Sequence, residues 1–212
     1  MPSDFDKLFD ETKTYVNRLE NELLKKHLDN PLASPQDFDL DVKAFCVLCH
    51  AAFEEYIETT ALKVMHAAVD GFILKHKISE TLVCLLHFKS TGKGYLEKLT
   101  DQVEADRTFD YIRKQLEEIK RQFSNEIAMQ NHGTSVKYAR QLLMPVAIDL
   151  PDDATLLNSL NSLAAERHLY AHKFLDKGSV RKSIEPEKAK TMVDDCIKIW
   201  DDLRDKANKA IA

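Results

Sequence analysis

Glycine and proline are scarce in this chain, and their scarcity limits the folds open to it. Among 212 residues there are five glycines and six prolines, and long stretches contain neither. Because the turns between strands depend on these residues, the composition favours long helices joined by short loops over many strands. We therefore predict an all-α fold.

The chain also lacks long apolar runs and any excess of positive charge. No apolar run approaches the roughly 20 residues that a membrane-spanning helix needs, and the first residues show no basic segment followed by an apolar one. The formal net charge is −5, which excludes a broad positive field, so any contact with RNA must be local. We expect a soluble, cytoplasmic protein that does not bind membranes.

Cysteines are few, and two of them form a misleading pattern. Cys46 and Cys49 precede His50 in a C-x-x-C-H string, which attaches haem in exported proteins. Here the string falls within an apolar helical pattern, where cysteine behaves as a small buried hydrophobic residue. No second cysteine pair stands at the spacing of zinc ligands. We predict four free thiols in a reducing compartment, with no cofactor and no structural metal.

Periodic apolar residues divide the chain into a series of predicted helices. The segment 29–35, which contains two prolines, is the best candidate for a boundary. It separates an N-terminal helical extension over residues 1–30 from a helical domain over residues 38–212, and we expect the two to form one compact unit. The predicted helices cover residues 4–28, 38–69 with an end near Gly71, 79–88, 96–129 with a break near 107–108, 135–143, a helix beginning at Thr155, and a C-terminal helix opened by Ser183, Pro186 and Glu187.

The helix beginning at Thr155 carries a charge where an apolar side chain is expected. Arg167 lies in the middle of a stripe that recurs at three- and four-residue steps. The apolar members of this stripe are Leu156, Leu160, Leu163, Tyr170, Ala171 and Phe174. Burying an arginine without a partner costs several kcal/mol, so something must neutralise it. The candidates are a carboxylate from the helix around Glu54 and Glu55, or a phosphate.

The sequence from Arg167 to His172, at the end of this helix and before a basic segment, resembles the Arg-x4-His signature of the HEPN superfamily. The members of this superfamily are all-α, mostly metal-independent ribonucleases, and many of them are bacterial toxins or antiviral effectors. Two positions depart from the usual pattern. His168 follows the arginine where asparagine is most common, and Phe174 lacks the hydroxyl of the tyrosine that an antitoxin modifies in some of these toxins.

Other parts of the chain share this resemblance. Asn131-His132-Gly133, the short helix after it and the turn over 148–151 are similar to a run in standalone bacterial HEPN proteins of the RiboL-PSP type. The segment 52–57, which contains Glu54, is similar to their aromatic-Glu-x-aromatic-Ile element. The resemblance covers residues 39–210 and implies a HEPN-type helical bundle with long antiparallel helices.

The resemblance and the chemistry of the motif together predict a metal-independent endoribonuclease, acting as a bacterial toxin or antiphage effector. Histidine can act as acid or base near neutral pH, and arginine presents a fixed fork of donors to phosphate oxygens. We predict that Arg167 and His172 are catalytic and that RNA is cleaved to 2′,3′-cyclic phosphate and 5′-hydroxyl ends. The two residues lie about 140° apart on an ideal helix, which suits a homodimer with the active site at its interface, as in the superfamily. An antitoxin or another defence component is a further expected partner.

We predict four further residues that bind substrate or support the site: His168, Glu54, Tyr170 and Lys173. Lys173 begins the basic segment, and Tyr170 fits the core better than it fits catalysis. Glu54 follows from the resemblance, whereas the helical period places the neighbouring Glu55 nearer the apolar stripe. His132 is also undecided, because Asn-His-Gly at the end of a helix is common capping chemistry.

Two other functions remain open. His168 and His172 stand at i and i+4, the spacing at which two helical histidines share a metal. Leu169 occupies the position of the glutamate in H-E-x-x-H, however, and a third ligand such as His132 would be required. The other alternative is a non-catalytic HEPN-like module that binds a nucleotide or a protein through the same groove. Such a module would not need the acid-base group, so Arg167 and His172 together favour the enzyme.

Overall fold

Helices make up almost all of the described structure. The computed structural model describes residues 3–30, 32–89, 108–129, 133–172, 175–176, 179–180 and 182–212. Its helices are α1 (Asp4–Leu19), α2 (Lys25–Leu28), α3 (Pro35–Lys75), α4 (Glu80–Lys89), α5 (Thr108–Met129), α6 (Val136–Leu143), α7 (Ala154–His172) and α8 (Pro186–Ile211). The predicted all-α fold is confirmed. A short antiparallel ladder between Leu175–Asp176 and Ser179–Val180 was not predicted.

The N-terminal helices pack into the same core as the rest of the chain. The Ser3 hydroxyl caps α1 by accepting the Asp6 N–H at 3.0 Å, and the Asp6 carboxylate accepts the Ser3 N–H at 2.8 Å. Phe5 and Phe9 on the buried face of α1 join the common core, and α1 contacts both α3 and α8. Between α1 and α2, residues Glu20–Leu24 form a π-helical turn. The helix predicted over 4–28 is therefore continuous but not regular.

Helix α3 runs through the middle of the bundle and carries part of the candidate site. A capping box from Ser34 and a proline in the first turn start it. It continues past Gly71 and ends where His76 adopts a left-handed conformation with φ 56°. The predicted end near Gly71 is wrong, because glycine inside a helix costs only about 1 kcal/mol. The residues that follow it, Phe72 and Ile73, still pack against the core.

Aromatic side chains of α3 and α8 form the centre of the core. The Phe53 ring stacks on the Trp200 ring with the centroids 3.4 Å apart. The Tyr56 hydroxyl donates to the Trp200 carbonyl oxygen at 3.1 Å, and burial raises the pKa of Tyr56 above its usual value. Because Phe53 and Tyr56 both point into the core, they fix how α3 is rotated about its own axis. That rotation sets the direction of the polar side chains that neighbour them in sequence.

The C-x-x-C-H string lies inside this core. Cys46, Cys49 and Cys196 are fully buried, and these three and Cys84 are free thiols. Burial, together with the charge of Glu166, raises the pKa of Cys46 to about 12. The interpretation of Cys46 and Cys49 as small buried hydrophobic residues is confirmed.

The remaining predicted helices agree with the structure where it describes them. Ser135 caps α6, and α8 begins at Pro186. Buried side chains line the inner face of α8: Met192, Val193, Cys196, Ile199, Trp200 and Leu203. The helix predicted over 96–129 is described from Thr108 onward as α5, and its first part lies outside the described residues. None of the helices in the described ranges is both long and apolar enough to span a bilayer.

Candidate functional site

Helix α7 presents Arg167 at the edge of the face that it buries. The Asp153 carboxylate accepts the Thr155 N–H at 2.8 Å and so satisfies the first turn of the helix. Leu160 and Leu163 on the inner face are fully buried. Arg167 follows one turn later and is half-buried. The apolar stripe therefore brings a positive charge to the margin of the core.

Two polar side chains of α3, one turn apart, bind successive backbone groups of a distant loop. Glu54 Oε1 accepts the Gly133 N–H at 2.5 Å, and His50 Nε2 accepts the Thr134 N–H at 3.3 Å. The same two side chains face each other, with His50 Nδ1 3.8 Å from Glu54 Oε2. His50 is 3% exposed and Thr134 is 0% exposed, so the bond between these two residues satisfies groups that water cannot reach. The loop that ends the Asn-His-Gly segment is thereby held against α3.

The loop has a backbone conformation that glycine favours. Gly133 has φ +73°, a region in which other residues cost roughly 1–2 kcal/mol. A Cβ atom there would meet the His50 ring at 3.5 Å, an ordinary contact, so the backbone rather than the space selects glycine. Just beyond it, the Val136 N–H donates to Asn161 Oδ1 at 3.1 Å. The loop is therefore bound to α3 at one end and to α7 at the other.

Arg167 lies close enough to His50 for its charge to act on the imidazole. Burial, and then the positive charge of Arg167, lower the pKa of His50 to about 4. The ring is neutral at neutral pH, and because Nε2 accepts a hydrogen bond, we assign its proton to Nδ1, which faces Glu54. Arg167, His50, Glu54 and the Gly133–Thr134 backbone thus form one group, which we call the Arg167 cluster.

Glu54, rather than Glu55, belongs to the Arg167 cluster. The Glu54 side chain is 14% exposed, whereas Glu55 is exposed to solvent. The helical period predicted that Glu55 would lie nearer the buried stripe, and this is wrong because Phe53 and Tyr56 turn Glu54 toward the loop. Both acids line a groove of about 720 Å³ together with Glu58. Burial, followed by the charges of Glu54 and Glu55, raises the pKa of Glu58 to about 7.

Tyr170 anchors the end of α7 to the segment that precedes α8. Its hydroxyl accepts the Ile184 N–H at 3.1 Å and also hydrogen-bonds the Glu166 carboxylate. Burial is the main cause that raises the Tyr170 pKa above its usual value. The Lys43 ammonium lies 6.0 Å from the centroid of the Tyr170 ring. These contacts favour a structural role for Tyr170.

The other predicted site residues are described only in part. His168 is exposed on α7. His172 is the last residue of α7, but its side chain lies outside the described residues, as do Lys173 and His132. Within the described part of the chain, no three histidine, cysteine or acidic side chains come together as metal ligands. His132 and the His172 side chain, on which the alternative metal site depends, lie outside that part of the chain.

The sequence did not single out His50, which the structure places in the Arg167 cluster. Its contact with Thr134 spans 84 residues, so no local pattern shows it. One signal was available, because a histidine one turn before Glu54 shares its face of the helix. The apolar residues around the C-x-x-C-H string concealed that signal.

Comparison with known proteins agrees with this fold. The described helices are consistent with an all-α bundle of the HEPN class. The model of the RiboL-PSP-HEPN family matches residues 5–209, and the chain therefore belongs to this family. The match includes the segment predicted as an N-terminal extension. Neither a search of curated proteins nor a search of solved structures finds a match. Membership of a HEPN family supports a nuclease-like or RNA-related function.

Proposed function

We propose that this protein is a metal-independent endoribonuclease whose active site is built around Arg167 and His172. The observation that carries the proposal is the Arg167 cluster: the charge of a half-buried arginine acts on His50, and His50 and Glu54 together bind the loop 133–134. A guanidinium held at the margin of the core is well placed to receive phosphate oxygens. His172 ends the same helix five residues later.

Each proposed catalytic residue has a defined part in the reaction. Cleavage without a metal needs a base for the 2′-hydroxyl, an acid for the leaving 5′-oxygen and positive charge on the transition state. Arg167 supplies the charge to the non-bridging oxygens. His172 takes the proton of the 2′-hydroxyl or gives one to the 5′-oxygen, and water exchanges the other proton. The 2′-oxygen attacks phosphorus as the bond to the 5′-oxygen breaks. The products are a 2′,3′-cyclic phosphate and a 5′-hydroxyl.

The remaining predicted residues support this reaction in different ways. His168 is exposed beside Arg167 and contacts a phosphate or a base edge of the RNA. Lys173 adds positive charge next to the motif, which a chain of net charge −5 needs in order to bind RNA locally. Glu54 holds the loop, and Tyr170 anchors the end of α7. The active form is a homodimer that acts on cytoplasmic RNA in toxin or antiphage defence, under the control of an antitoxin or another defence component.

RNA cleavage by purified variants tests the proposal. Arg167→Ala and His172→Ala should each reduce cleavage about 10²-fold or more, since each removes a transition-state contact or a proton-transfer group. Arg121→Ala and His87→Ala, which change an arginine and a histidine at exposed positions, serve as matched controls and should cleave normally. The reaction should be equally fast in excess EDTA, and a 2′-deoxy sugar at the scissile position should block it.

The products distinguish the alternatives. New 5′ ends should accept phosphate from a kinase without prior dephosphorylation. Ends that carry a 5′-phosphate, formed only in the absence of EDTA, would instead make His168 and His172 metal ligands. RNA or nucleotide binding without any cleavage, unchanged in His172→Ala, would support the non-catalytic binding module. Full activity of Arg167→Ala or His172→Ala would contradict the proposal.

A further inference from the structure

We propose that His50 is a positioning residue of this site: its Nε2 atom holds the Thr134 N–H and, with Glu54, fixes the loop 133–134 relative to Arg167. The inference rests on the proposed ribonuclease function. It assigns a role in that reaction to a residue outside the Arg-x4-His motif.

The geometry gives His50 and Glu54 one common target. The Gly133 and Thr134 N–H groups are consecutive along the chain, and each has its own acceptor on α3. The two acceptors hold the peptide groups on either side of the Gly133 Cα, so the backbone cannot rotate at Gly133 without losing a bond. Because Gly133 is in the left-handed region, the two bonds also maintain a conformation that the backbone would otherwise leave easily.

The acceptor role requires a neutral imidazole. A doubly protonated histidine has no lone pair to offer to an N–H donor. The charged groups that bear on His50 are Glu54 on its own helix and Arg167 on α7. Burial and the Arg167 charge hold the pKa of His50 near 4, so the acceptor is present throughout the neutral range.

A packing role alone would not require this chemistry. A leucine or phenylalanine fills a buried position on a helix at least as well as histidine does. His50 instead accepts a hydrogen bond from an amide 84 residues away and lies within range of the charge of Arg167. Loss of the acceptor would leave a buried N–H unsatisfied and the loop free to shift, and a displacement of about 1 Å at a catalytic site can cost about 10²-fold in rate.

Two polar variants separate positioning from packing. In His50→Gln the side-chain amide reaches as far as Nε2 does and can still accept the Thr134 N–H. In His50→Asn the amide reaches only as far as Nδ1, so the acceptor is lost while the polarity is kept. His27→Leu removes another buried histidine, which binds Asp41 at 2.7 Å, and serves as the control for general destabilisation.

The kinetic constants of RNA cleavage and the melting temperature of each variant are measured together. We expect His50→Asn to lower kcat by about tenfold to a hundredfold with little change in KM, and His50→Gln to retain most of kcat. His27→Leu should lower the melting temperature without lowering kcat. Equal kcat values for His50→Asn and His50→Gln, or a kcat loss in all three variants that follows their melting temperatures, would overturn the positioning role.

A second measurement does not depend on catalysis. Exchange of the Thr134 amide hydrogen should be slow in the wild type and in His50→Gln and faster in His50→Asn. Equal exchange rates of the Thr134 amide hydrogen in the three proteins would overturn the proposed hold of His50 on the loop, even if the enzyme is active. If the wild type cleaves no RNA while the exchange pattern appears as expected, the proposed function has failed and the hold of His50 on the loop stands.

Discussion

Gly71 and Gly133 differ in what an added methyl group would do. Gly71 lies within α3, with nothing within 4 Å of a Cβ atom. Gly71→Ala should therefore raise the free energy of unfolding by roughly 0.5–1 kcal/mol. Gly133 has φ +73°, so Gly133→Ala should lower it by roughly 1–2 kcal/mol. Urea unfolding of the two variants should give shifts of opposite sign, and a fully stable Gly133→Ala protein would contradict the left-handed conformation.

Glu58 makes the stability of the fold depend on pH. Its pKa is raised from 4.5 to about 7, chiefly by burial. The folded carboxyl group binds its proton more tightly than the unfolded one. Its contribution to stability is therefore complete below about pH 4.5 and is lost as the pH rises through about 7. Glu58→Gln should raise the melting temperature at pH 8 much more than at pH 5. Glu117→Gln, at an exposed position, is the control and should show no such difference; an equal effect of Glu58→Gln at both values would contradict the raised pKa.

Helices were predictable from the sequence where their signals are local. The caps at Ser3 and Ser135 and the buried face of α8 depend on residues within a few turns of each other. The end of α3 was not predictable from Gly71, because the packing of Phe72 and Ile73 overrides the weak preference of one glycine. The π-helical turn Glu20–Leu24 has no comparable local signal, since it adjusts the helix to its neighbours.

The candidate site was predictable only in its motif. Arg167 is visible in the sequence because it interrupts an apolar stripe, and Glu54 entered through the family resemblance. The choice between Glu54 and Glu55 depends on the rotation of α3, which the stacking of Phe53 on a distant helix decides. The hydrogen bond from Thr134 to His50 depends on the whole bundle, so spacing along the chain could not reveal it.

Tyr170 connects α7 with α8, and the structure predicts that its hydroxyl stabilises the fold without taking part in cleavage. Tyr170→Phe leaves the Ile184 N–H without its acceptor and should cost about 1 kcal/mol. Cleavage of RNA at saturating substrate should remain near the wild-type rate. Tyr15→Phe on α1, a half-buried tyrosine remote in sequence from the motif, provides the comparison for stability. A large loss of kcat in Tyr170→Phe, with stability unchanged, would make the hydroxyl catalytic instead.

The proposed active site requires Arg167 and His172 to act on the same phosphate, within one chain or across a dimer. Five residues separate Arg167 from His172, which corresponds to about 140° around the axis of an ideal helix, and the charge of Arg167 acts on His50 of α3. An ideal helix therefore places residues 167 and 172 on different faces. In the proposed dimer, His172 of one copy completes the site around Arg167 of the other, because a two-fold axis brings each motif helix opposite its equivalent.

Mixing two inactive variants distinguishes a shared site from one contained in a single chain. If Arg167 of one protomer acts with His172 of its partner, a dimer of one Arg167→Ala and one His172→Ala subunit has one intact site and one site lacking both residues. Random exchange of equal amounts should then restore about a quarter of the wild-type activity, because half of the dimers are mixed and each has one working site. Sites within single chains would restore none, since each subunit lacks one residue of its own. Light scattering on the wild type gives the oligomeric state, and a monomer with full activity would exclude the shared site.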